Sequence, residues 1–234
     1  VNNFRTVSDT KRTFYSRHTR PINTIYRRVV EELMVEMHLL SVNVDFSYNS
    51  IYALGVVTTF DRFMQGYQPS EDLVSIFNAI ICAVEQDPQV YHQDAAKLKA
   101  IASSFSVKDL IAWCSQTTPL DQDANLQAEL QAIAQNPNFK YSRLLAIGLF
   151  SLLELSDPEF VKDETQRNQT IAVIAQGLKL SEDKLNKDLD LYRSNLDKME
   201  QALTVMADML AADRKKRDQR QQNSGNPPLA PTNE

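Results

Sequence analysis

The sequence predicts an all-α protein, a multi-helix globular domain with a long C-terminal heptad-patterned helix. Three observations predict it. Apolar residues recur three and four positions apart along most of the chain, which is the period of a helix face. No Asn-Gly or Asp-Gly hairpin signal occurs anywhere. Only 5 glycines serve 234 residues, too few for Gly-rich phosphate loops, turn-rich sandwiches or solenoids of tight turns. Apolar residues make up 43 % and charged residues 24 %, which excludes collagenous, mucin-like and wholly disordered chains. The length suits one large domain, or one domain plus an appendage.

The elements follow in order. Residues 8–17 read as a short helix with Ser8 as its N-cap. Pro21 suits the first position of the next helix. Ile22, Ile25, Tyr26, Val29, Val30, Leu33, Met34, Met37 and Leu40 then make one apolar stripe. Arg27 and Glu31, like Arg28 and Glu32, stand four apart on the other side. Ser41 to Ser50 is a connector. Ile51 to Gln65 is apolar on most sides, a buried helix ending near Gly66. Pro69 and Ser70 open a helix whose stripe runs from Leu73 to Val84. Further helices are expected over 89–102, 106–116 (with Ser106 as N-cap), 121–135, 139–155 and 158–178, with breakers at Pro119, Asn136-Pro137 and Asp157-Pro158.

The last element has a different period. After Ser181 as N-cap come Leu185, Leu189, Tyr192, Leu196, Met199, Leu203, Met206 and Leu210, spaced alternately by four and three. That is a coiled-coil seam. The expected division is a helical domain over 1–180 with a basic N-terminal arm, a partly projecting helix over 181–221, and a disordered tail over 222–234.

Charge is unevenly spread. The net charge is −5, but residues 1–28 carry +6 and the rest −11. An acidic body with a basic arm argues against nucleic-acid binding, which wants a basic face across a domain. It suits docking on an acidic protein patch or an anionic membrane surface. No stretch is apolar enough to span a bilayer; the best run, Leu144 to Leu155, is too short. The chain begins at Val1 without a signal-peptide apolar region, which reads as a trimmed or processed start.

The search for catalytic chemistry returns little. There is no G-x-S-x-G, no phosphate-loop motif, no H-E-x-x-H and no C-x-x-C. Glu32, Glu36 and His38 come nearest to a metal set. However, Glu36 and His38 are two apart on a helix and point away from each other, so solvated side chains are the better reading. Cys82 and Cys114 read as small core residues in a reducing compartment. No catalytic residue, metal site or cofactor is therefore assigned.

Two features remain. The first is the basic cluster Arg12, Arg17, Arg20, Arg27 and Arg28, interleaved with Phe14, Tyr15, Tyr26, Phe46, Tyr48 and Tyr52. It is either a docking surface or a solvated basic face over core aromatics. The second is the seam, with Leu196, Met199, Leu203, Met206 and Leu210 as partner-binding candidates. It packs either back on its own domain or on a partner helix.

The words of the sequence add a resemblance. Thr6-Val-Ser-Asp-Thr-Lys11, Phe14-Tyr15, His18, Arg20-Pro-Ile-Asn23 and Tyr26-Arg27 resemble the opening of the Thylakoid Formation protein family. So do Glu31-Glu-Leu33, Glu36, His38-Leu-Leu40, Phe46-x-Tyr48, Ala53-Leu-Gly55, Thr59-Phe-Asp61 and Gly66-Tyr-x-Pro69. Asn49 departs from the pattern, which favours Asp there. The resemblance spans residues 5–215. It implies an all-helical, non-enzymatic accessory factor in photosystem II biogenesis and repair. Such factors sit peripherally at the thylakoid membrane on its cytoplasmic (stromal) side. The implied partner is the FtsH protease complex, with photosystem II assembly intermediates as further partners and a monomer favoured over a homo-oligomer. The alternatives are a chlorophyll- or small-ligand-binding helical assembly chaperone, and a coiled-coil scaffold.

Overall fold

A computed structural model of the chain describes residues 5–224, with side chains through Gln219. The described residues form ten α-helices and one short 3-10 turn, with no strand. The expected all-α class is therefore observed. The chain divides into two units, Val1–Arg193 and Ser194–Glu234. This boundary falls inside the last helix, some residues beyond the division at 180 expected from sequence.

Helix α1 spans Val7–Arg17. Its cap is Thr6 rather than Ser8: the Thr6 hydroxyl accepts from the Asp9 amide at 3.2 Å, and the Asp9 carboxylate accepts from the Thr6 amide at 3.0 Å. This reciprocal pair satisfies two otherwise orphaned donors, which a lone Ser8 could not do. Helix α2 spans Thr24–Ser41, not starting at Pro21. Asn23 caps it through its side-chain oxygen, which accepts from the Ile25 amide at 3.2 Å. Asparagine is among the strongest caps, so it sets the start over the proline.

Helix α3 covers Ser50–Phe63, and every residue from Ser50 to Phe60 is buried. The left-handed turn after it falls at Gly66, whose φ of 79° favours glycine. Helix α4 is Asp72–Ala83, α5 is Pro88–Ser104 and α6 is Val107–Cys114. Ser106 caps α6 as expected, accepting from the Asp109 amide at 3.2 Å. Helix α7 is Ala124–Gln135 and α8 is Arg143–Ser156, with Leu144 to Leu153 buried on all sides.

The single helix expected over 158–178 is two pieces. A 3-10 turn covers Phe160–Lys162, and α9 runs Glu164–Leu178. Asp163 breaks the run because its carboxylate accepts from the Gln166 amide at 2.9 Å and so starts a new helix. Helix α10 is Glu182–Ser224. Its first turns belong to the first unit, where Leu185, Leu189 and Tyr192 are buried. From residue 225 on, the expected tail lies outside the described residues.

The core of the first unit centres on α3, which packs chiefly against α8 and α5. The α3–α8 approach requires glycine on both sides. A Cβ on Gly55 would fall on the Leu144 carbonyl, and one on Gly148 on the Ile51 carbonyl. The two backbones therefore touch, and the apolar side chains around them interlock. Helix α1 lies against α4 and α2, which sets the basic segment on the outside of this core.

Candidate interaction surfaces

Among the described residues, the basic segment divides into paired and unpaired cations. Arg12, Arg17, Arg20, Arg27 and Arg28 are all exposed. Three of them have carboxylate partners. Arg12 lies 3.4 Å from Asp9, Arg28 lies 2.8 Å from Glu32, and Arg20 lies 2.5 Å from Asp72. Asp72 is only 5 % exposed, so the Arg20 guanidinium neutralises a buried charge. Arg20 thus ties the segment after α1 to the start of α4. Arg17 and Arg27 have no ion pair among the described residues.

Most of the interleaved aromatics belong to the core. Phe14, Tyr26 and Tyr52 are buried. Phe46 and Tyr48 stack edge-on against Tyr52 at 5.1 and 6.2 Å, and the Tyr48 hydroxyl donates to Asp94 at 2.7 Å. Burial and that carboxylate drive the Tyr48 phenol well above its ordinary range. Of this set only Tyr15 faces outward. Its hydroxyl donates to Glu31 at 2.9 Å, and Lys11 lies 2.9 Å from the same carboxylate. These hydrogen bonds, that of Lys11 first, hold the Glu31 carboxyl below its usual range. The expected Arg27–Glu31 pair is thus replaced by a partner on α1.

The seam is described within the second unit alone. There Leu196, Met199, Leu203 and Met206 are half-buried, Leu210 is exposed, and none of residues 194–219 is buried. Val205 and Met209 are also exposed beside the seam. An apolar stripe of this kind, with methionines that adapt to varied shapes, is suited to a partner surface.

A third surface is one that sequence reasoning missed. An open groove of about 650 Å³ lies in the first unit between the outer face of α2, the start of α8 and the first turns of α10. Its wall carries Val35, Leu39 and Leu40. At one side Arg143 donates to Glu36 at 2.5 Å. Burial raises the Glu36 carboxyl above its usual range, outweighing the pull of Arg143. Tyr141 donates to Asp188 at 2.7 Å, and the Lys184 ammonium stands 4.8 Å from the Tyr141 ring centroid. The sequence read Glu36 as a solvated side chain. Its partner is 107 positions away, so no local pattern could have paired them.

The two cysteines differ. Cys114 is fully buried, which pushes its thiol up to about 12, whereas Cys82 is half-buried. A thiol so protonated is an inert core group. Among the described residues no three His, Cys, Asp or Glu side chains gather as a metal set, and no helix is long and apolar enough to cross a membrane.

Comparison with known proteins follows the same outline. The family described as "Thylakoid formation protein" matches residues 6–221. Protein Thf1 of Nostoc punctiforme is 73 % identical over 232 residues, covering 99 % of each chain. Protein Thf1 of Trichormus variabilis is 75 % identical over 230 residues, covering 98 % of each chain. A solved structure of Psb29 superposes with a TM-score of 0.71 at 44 % identity, covering 84 % of this chain and 98 % of that one. With a match of this extent and fold, the chain belongs to the thylakoid formation protein family.

Proposed function

We propose that this protein is a non-enzymatic accessory factor that binds and supports the thylakoid FtsH protease complex in photosystem II biogenesis and repair. The observation that carries the reading is family membership over residues 6–221, a family described by thylakoid formation. The earlier resemblance supplies the protease complex as the partner. The structure adds support of a different kind. The chain offers a basic face, an apolar seam and a groove, which suit recognition, and the buried or half-buried carboxylates Asp72, Glu36 and Asp188 are engaged in structural pairs. Without a membrane-crossing helix among the described residues, contact with the thylakoid is peripheral, on the cytoplasmic (stromal) side in this reading. Photosystem II assembly intermediates are further partners.

The test is complementation in a cyanobacterium lacking its own family member. Expression of this chain should restore the abundance of the FtsH subunits, read by immunoblot. A chain carrying Arg17→Glu and Arg27→Glu should restore less, because neither cation has an ion pair among the described residues. Full photosystem II recovery with no change in FtsH abundance would contradict the reading.

A further inference from the structure

The groove beside the end of α2 has a definite chemical polarity. Each carboxylate that lines it already holds a donor from this chain. Glu31 has Lys11 and Tyr15, Glu32 has Arg28, Glu36 has Arg143, and Asp188 has Tyr141. Two of its cations, Lys140 and Lys184, have no carboxylate partner among the described residues. A cationic ligand would have to displace an existing donor, whereas an anionic one finds two ammonium groups waiting. Further along the chain from the groove-lining Leu39, the turn carries more exposed aliphatic side chains. Leu39 is 57 % exposed, Val42 47 % and Val44 97 %, three aliphatic side chains within six residues at the α2–α3 turn. Leu39 and Val42 are three apart at the end of the helix, so they share a face. Single exposed aliphatics are ordinary, but three within six residues, the first of them lining a groove, are not.

We infer that this groove and turn receive an acidic, aliphatic-bearing segment of a protein partner. One aliphatic side chain of that segment lies against Val35, Leu39 and Leu40, with its carboxylates on Lys140 and Lys184. The arrangement has the anatomy of a protein interface, an apolar centre inside a charged rim. Across the groove and its immediate partners the two signs balance, Asp45 on the turn included. That balance disfavours an anionic bilayer, which rewards net positive charge, and leaves the two unpaired lysines to meet the carboxylates of a protein segment. The volume admits a few side chains of a bound segment rather than a whole domain. The inference deepens the accessory-factor reading and rests on it, since it places the partner's contact.

The test uses the full chain, tagged, with a photo-crosslinking residue in place of Leu39 or, as a control, in place of exposed Val74 on α4. Each chain is expressed in a cyanobacterium lacking its own copy, irradiated, captured and mapped by mass spectrometry. Position 39 should crosslink to a partner peptide that carries Asp or Glu beside an aliphatic residue, and position 74 should not. Lys140→Glu with Lys184→Glu should lower recovery of that partner at least about tenfold, because like charges then face each other. Leu39→Gln should lower it independently. All four positions are exposed or half-exposed, and helicity by circular dichroism confirms that the variants fold. Undiminished recovery with both lysines reversed overturns the inference, as do crosslinks from position 39 to lipid alone, while leaving the accessory reading standing. A wild-type chain that recovers no thylakoid protein overturns both.

Discussion

Arg20 and Arg17 lie three residues apart, are both exposed, and do different work. Arg20 compensates Asp72, and its truncation to Ala leaves a carboxylate without its charged donor at 5 % exposure. The expected cost is about 2 kcal/mol in urea unfolding, the range for hydrogen bonds to charged groups. Arg17→Ala should unfold like the parent protein. Equal midpoints for the two variants would show that the Arg20 contact carries no stability. His38 has a similar structural role. It is buried on α2 and shares a 2.8 Å hydrogen bond with the Thr10 hydroxyl of α1. Burial, and then Arg5, lower its pKa below the ordinary 6.5, while Asp9 pulls the other way. The folded state therefore takes up this proton less readily than the unfolded chain. Stability should be complete above about pH 6.5, fall as the pH drops below it, and level off once the folded value is passed. Thermal unfolding from pH 7.5 to 5, compared with His38→Gln, should show this slope reduced in the variant. Parallel curves would place the titration elsewhere. Neither role was legible in the sequence, because each depends on a partner 28 or more positions away.

At the level of elements, local chemistry was well expressed in the sequence and long-range chemistry was not. The apolar run of α3 reads directly as a buried helix, and Ser50 to Phe60 are buried; α8 reads as a helix, and its burial from Leu144 to Leu153 comes from the structure. Ser106 was legible because a cap acts within its own turn. The starts of α1 and α2 shifted where a stronger local cap, Thr6 with Asp9 or Asn23, competed with the residue chosen. Helix α9 divided because Asp163 caps from within an otherwise helical pattern. The glycine contact between α3 and α8 has no sequence signal at all, since it requires knowing which helices meet. It yields a sharp expectation. Gly55→Ala or Gly148→Ala should each destabilise by about 2 kcal/mol or more, because the new methyl meets backbone that cannot swing aside. The usual benefit of alanine in a helix is smaller, about 1 kcal/mol. A rise in melting temperature for either variant would contradict the close approach.

For the whole molecule, the surfaces matter more than any single group. The sequence indicated the basic segment and the seam, because charge and heptad spacing are written in consecutive residues. The groove was invisible to it, being assembled from α2, the start of α8 and the first turns of α10. The basic segment is partly structural, which leaves Arg17 and Arg27 as its cations without an ion pair among the described residues and so as the residues on which the proposed docking would rest. Of the seam residues, Leu196, Met199, Leu203 and Met206 are half-buried and Leu210 is exposed, so none is closed off within the second unit. All three surfaces bear on the proposal that the protein binds a membrane protease complex. The most direct measurement is affinity capture of the tagged chain from mildly solubilised thylakoids of a strain without its own copy, with salt washes and mass spectrometry. The account predicts recovery of FtsH subunits above an untagged control, weakened as salt rises. Capture of pigment or chlorophyll-binding subunits with no FtsH above control would contradict it.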